Sequence, residues 1–96
     1  MNRQPEIVNK LRQLKPVLDQ RFSVERIGYF GSFSRNEETV HSDIDILVSF
    51  KKPIGWAFFD LQDFLEEELK LKVDLVTENA LKEQLRDGIL NSVRYI

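Results

Sequence analysis

The segment Asp43-Ile44-Asp45-Ile46-Leu47-Val48-Ser49-Phe50 restricts the fold more than any other. Side chains alternate across a strand, so Ile44, Ile46 and Val48 share one face while Asp43 and Asp45 share the other. Ile, Leu and Val at this density predict a buried strand over Asp43–Phe50, ended by a loop at Lys51-Lys52-Pro53 and Gly55. A buried strand needs neighbours, and two further strand-like runs are present, Val24–Phe30 and Lys72–Val76.

Helical spacing fills the intervals. Ile7, Val8, Leu11, Leu14, Val17 and Leu18 form an amphipathic first helix behind Pro5, and Pro16 predicts a kink or break near Leu14–Lys15. Ser32–Glu38 can form a short helix. Phe58, Leu61, Leu65 and Leu69 predict a helix from Trp56 to Lys70, with Asp63, Glu66, Glu67 and Glu68 on a solvated acidic face. Thr77 or Asn79 can cap a helix over Ala80–Arg86, which Gly88 is expected to break before Ile89–Ile96. The predicted order is α-β-α-β-α-β-α, an α/β domain spanning 1–96 with a small three-stranded mixed sheet and flanking helices.

Ninety-six residues make one domain, burying roughly 60–65% of the extended surface. A 42% hydrophobic share with seven Phe and one Trp is ample for a packed core. Apolar runs fall far short of the ~20 residues needed to span a bilayer, and Met1–Glu6 lacks the apolar stretch of a signal peptide. With no cysteine there are neither disulfides nor thiolate metal sites, and a cytoplasmic protein is expected. Fourteen Lys and Arg against 16 Asp and Glu, a net charge of −2, argue against non-specific nucleic-acid binding.

Asp43 and Asp45 stand about 6–7 Å apart on one strand face. At an effective dielectric of about 20 their repulsion is on the order of 2–3 kcal/mol, which a divalent cation would turn into attraction. Mg²⁺ takes oxygen ligands and is commonly held by one or two carboxylates plus substrate phosphates. Should the Lys72–Val76 strand pair beside Asp43–Phe50, Asp74 joins them, and three carboxylates can hold two metals. Taken alone, Asp-Ile-Asp can simply cap a strand and Asp74 can be the polar member of an alternating one. What separates the readings is Phe30-Gly31-Ser32, a strand end opening a helix. Gly31 lets backbone approach a phosphate, the helix start offers free N–H groups, and Ser32 adds a hydroxyl, eleven residues ahead of Asp43. Arg35 could contact a triphosphate or pair with an aspartate to hold the loop. Ser42 could touch substrate or bond backbone in the turn. His41, the only histidine, could be a general base or an ordinary loop residue.

Gly31-Ser32-x-x-Arg35, Ser42-Asp43-Ile44-Asp45-Ile46-Leu47-Val48 and Lys72-Val73-Asp74-Leu75-Val76 together resemble the minimal nucleotidyltransferases (MNT type) of the DNA polymerase β-like superfamily. The resemblance covers nearly the whole chain. It implies transfer of a nucleoside monophosphate from a nucleoside triphosphate, usually ATP, to a hydroxyl, with Mg²⁺ as cofactor, two ions expected. Gly31 and Ser32 would hold the β- and γ-phosphates, and Asp43 and Asp45 would ligate both metals. Asp74 would ligate the metal at the acceptor and help remove its proton. MNT proteins are often paired with a HEPN-type toxin, whose tyrosine receives AMP and is silenced. Many relatives have Gly where Asn36 stands, and Pro with an acidic residue near Val40 and His41; neither departure removes a metal ligand.

The resemblance leaves three functions open: adenylylation of a HEPN toxin by its antitoxin, neutralisation of that toxin by binding alone, and nucleotidyl transfer to a small molecule. Three converging carboxylates favour the first, and a chain without a separate acceptor-holding domain disfavours the third. Trp56, Phe58 and Phe59 are read as core ahead of interface, and Tyr95 and Ile96 as packed on a neighbour or in the core; an exposed patch among them would be the candidate interface.

Overall fold

The computed structural model describes residues 4–31, 44–81 and 83–96. Their elements are helix α1 (Gln4–Phe22), strands β1 (Val24–Phe30) and β2 (Ile44–Phe50), helix α2 (Ala57–Leu69), strand β3 (Val73–Thr77), a 3₁₀ turn (Glu78–Ala80), helix α3 (Glu83–Ser92) and strand β4 (Arg94–Tyr95). The sheet runs β3-β2-β1-β4. β2 lies antiparallel to β1 and parallel to β3, with α2 as the crossover that parallel pairing demands.

The apolar face of β2 makes the centre of the core: Ile44, Ile46 and Val48 are fully buried. Each such side chain stabilises the fold by about 1.5–3 kcal/mol. Ile7, Leu11, Leu14, Leu18 and Phe22 of α1 and Leu61, Leu65 and Leu69 of α2 pack on that face. β1 joins them through Val24, Ile27 and Tyr29. The odd step from Val24 to Ile27 has a cause, a register shift between Val24 and Arg26 that turns Glu25 and Arg26 outward together. α1 ends where Ser23 takes a left-handed φ of 56°, its N–H donating to Asp19 O at 3.0 Å.

Three expectations need correction. Pro16 does not break α1, which continues to Phe22. Pro16 and Arg12 are both exposed, so the carbonyl that loses its donor faces water, while Leu14 and Leu18 on either side stay anchored in the core. Gly88 does not end a helix either. α3 passes through it, exposed, for a helix glycine costs only about 1 kcal/mol relative to Ala. Thr77 does act as a cap, accepting the Ala80 N–H at 3.2 Å, but the element it caps is the 3₁₀ turn.

Among the described residues the sheet has four strands, not three. Arg94 and Tyr95 pair with Tyr29 and Gly28, and Ile96 N–H donates to Ile27 O at 2.9 Å. A Cβ on Gly28 would lie 2.7 Å from Arg94 O, so glycine there is what lets the last strand approach. Ile96 packs against the core.

Candidate active site

β1, β2 and β3 present their polar face in register. Phe30 stands opposite Asp45, and Asp45 opposite Asp74. The pairing on which the sequence reading depended is therefore present, and neighbouring strands lie only about 4.8 Å apart. Asp45 is half-buried and Asp74 exposed. Two carboxylates this close repel by on the order of 3 kcal/mol at a dielectric of about 20, less where water reaches Asp74.

Gly31 comes directly after Phe30 and turns the chain with φ +75°. A Cβ built there would collide with Asp45 Oδ2. Glycine is thus required twice, by the left-handed backbone and by the carboxylate seated against the turn. The effect is a strand end at which main chain and carboxylate share one small space. Asp45 and Asp74 are hard oxygen donors on a common face, the donor chemistry Mg²⁺ prefers. No third His, Cys, Asp or Glu completes a cluster with them among the described residues. Asp43, Ser32, Arg35, Ser42 and His41 lie outside those residues.

Leu47, on the same face as Asp45, is fully buried, so the sheet centre is closed beyond the carboxylates. At the other end of this face Arg26 pairs with Glu78, Nη2 to Oε1 at 3.2 Å, and lies over the Tyr95 ring at 5.7 Å. Burial, then the Glu78 carboxylate, hold the Tyr95 phenol above its ordinary value, with Arg26 opposing.

Two residues escaped the sequence reading. Glu66, assigned to the solvated acidic face, is half-buried and accepts the Val73 N–H at 3.0 Å; Gln62 Nε2 donates to Val73 O at 3.1 Å. Their i, i+4 spacing beside Leu61 and Leu65 was the available signal. The aromatic reading also divides. Phe58 packs on the core, whereas Trp56 is 84% and Phe59 55% exposed, their rings 5.9 Å apart. Asp60, Asp63 and Glu67 continue that solvent face of α2. No described helix is long and apolar enough to cross a membrane.

Comparison with known proteins agrees with this geometry. A protein of Methanocaldococcus jannaschii, named as a candidate protein adenylyltransferase, is 47% identical over 78 residues, 80% of each chain. The protein adenylyltransferase MntA of Thermococcus cleftensis is 41% identical over 92 residues, 95% of this chain and 93% of its own. Among solved structures, a candidate minimal nucleotidyltransferase superposes with a TM-score of 0.78 at 31% identity, covering 93% of this chain and 92% of the other. The MNT antitoxin in complex with a tri-AMPylated HEPN toxin of Shewanella oneidensis matches with a TM-score of 0.68 at 26% identity, over 96% of this chain and 70% of that one. The nucleotidyltransferase domain family matches residues 11–96, and with the strand order and the paired aspartates this places the chain in the nucleotidyltransferase family.

Proposed function

We propose that this protein transfers AMP from ATP to a tyrosine hydroxyl of a HEPN-type toxin, and so acts as its antitoxin. The observation that carries the reading is the register of Asp45 with Asp74 beside the Gly31 turn. Asp43 joins them by sequence, two positions before Asp45 on the same alternating run. In the reaction the acceptor oxygen forms a bond to the α-phosphorus, the α–β bridging P–O bond breaks, and pyrophosphate leaves. Asp74 would take the proton that the hydroxyl loses. Asp43, Asp45 and Asp74 would hold Mg²⁺, which when bound supplies positive charge to the phosphoryl oxygens. Gly31 and Ser32 would seat the terminal phosphates with main-chain N–H groups and a hydroxyl, with Arg35 and Ser42 alongside. Catalysis then rests on positioning and charge.

The HEPN partner is supported by the MNT–HEPN complex above and by the likeness to a toxin–antitoxin structure with AMP-PNP, TM-score 0.68 at 26% identity, covering 99% of this chain and 72% of that chain. Trp56 and Phe59 are the surface we assign to it. They precede or open α2, which begins beyond the end of β2 far from Asp45, so contact there leaves the carboxylate edge open.

The test is intact-mass spectrometry of a HEPN protein of the same genome after incubation with this protein, ATP and Mg²⁺. A gain of AMP that disappears with Asp43→Asn/Asp45→Asn is the expected result. No gain, with the partner bound and inhibited by both forms, would leave an antitoxin that works by binding.

A further inference from the structure

β3 is an edge strand, and successive residues of a strand aim their main-chain groups to opposite sides. Lys72 faces β2, its carbonyl accepting the Ile44 N–H at 3.1 Å. Asp74 is in phase with Lys72, so Val73 between them turns its N–H and C=O outward, where no strand of the described residues lies. Both groups are met from α2: Glu66 Oε2 accepts the N–H and Gln62 Nε2 donates to the carbonyl. Residues four apart on a helix are neighbours, so one donor and one acceptor reach the two groups of a single peptide residue. The bond to Glu66 is charge-assisted, hence the stronger of the two.

From this clamp we infer that Glu66 and Gln62 are positioning residues for Asp74. The inference rests on the proposed role of Asp74 as a metal ligand. An edge needs protection anywhere along its length; this one is pinned at the residue preceding the carboxylate, and of the two described strands that carry site aspartates, β2 and β3, it is the one at the sheet edge. A ligand tolerates about 0.5 Å of error, so an unpinned Val73 would spread Asp74 over more positions than Asp45, which is held by strands on both sides.

The test uses the whole chain and two readouts. Mn²⁺ titration of the ATP-free protein, monitored by loss of amide NMR signals, measures metal affinity without activity. Adenylylation at varied Mg²⁺ measures half-saturation separately from maximal rate. Loss of an outer-shell partner typically weakens a metal site by about 10-fold or more, so Glu66→Ala should raise both the Mn²⁺ dissociation constant and the Mg²⁺ half-saturation by about that factor. Glu66→Gln, whose amide oxygen can accept the same N–H, should restore both. Gln62→Leu, which spares the stronger bond, should shift them in the same direction by less. A folded Glu66→Ala with unchanged Mn²⁺ affinity, or a Glu66→Gln that fails to restore it, overturns the inference while leaving the proposed function standing. A wild-type protein that neither binds Mn²⁺ nor adenylylates at any Mg²⁺ concentration overturns both.

Discussion

Gly31→Ala tests the site through stability alone, with no assumption about substrate. Two costs are expected. The left-handed φ of +75° charges any side chain about 1–2 kcal/mol. The added Cβ also runs into Asp45 Oδ2, and overpacking of this kind costs typically 1–3 kcal/mol. Gly55 offers an internal control: its φ is +56°, but nothing lies within 4 Å of a Cβ placed there. Gly55→Ala should therefore lose about 1–2 kcal/mol and Gly31→Ala about 3 kcal/mol. A domain of this size has about 5–14 kcal/mol in hand, so both variants remain folded and measurable. The assay is urea unfolding of the metal-free protein, completed as a double-mutant cycle with Asp45→Ala. Removing the carboxylate removes the collision, so Gly31→Ala in the Asp45→Ala background should fall back to the Gly55 value, a coupling of about 1–2 kcal/mol. Equal losses at positions 31 and 55, or a coupling near zero, would refute the claim that the turn and the carboxylate share one space.

Pro16→Ala should stabilise the protein by about 2 kcal/mol in urea unfolding, the recovered helix bond outweighing the greater freedom of the unfolded chain; no gain would show that α1 accommodates the ring without cost. Trp56→Ser with Phe59→Ser should leave the thermal midpoint nearly unchanged, since both side chains are exposed, yet weaken HEPN binding by at least about 10-fold in titration calorimetry. The raised Tyr95 phenol makes the folded state bind more protons than the unfolded state above pH 10, so stability should decline as pH rises through the raised value. Tyr95→Phe should flatten that alkaline decline in pH-dependent unfolding, leaving the neutral range unaltered.

Local periodicity carried much of the fold. β1 occupies Val24–Phe30 as read, β2 and β3 lie within a residue or so of their predicted bounds, and Leu61, Leu65 and Leu69 point into the core. These features arise from which side chains repeat at 2.0 or 3.6 residues, and the repeat is written in the chain. Breakers were read less well. Pro16 and Gly88 each carry a local penalty, but neighbouring side chains anchored in tertiary contacts, or an exposed position with little to lose, outweigh it. A two-residue strand such as Arg94–Tyr95 has no period at all; its partner is Gly28, most of the chain away.

The candidate site divides along the same line. Sequence alone determined its chemistry: carboxylates at alternate positions of an apolar run, a glycine turn at a strand end, and a third carboxylate in a later strand. Tertiary structure decided that Asp74 stands opposite Asp45, that Oδ2 of Asp45 fills the space Gly31 leaves, and that Glu66 leaves the solvent to hold Val73. Strand register and helix docking are long-range choices, settled by burying one face of α1, α2 and β2 together. A carboxylate's residue type is local, whereas its neighbours are a property of the whole packed core.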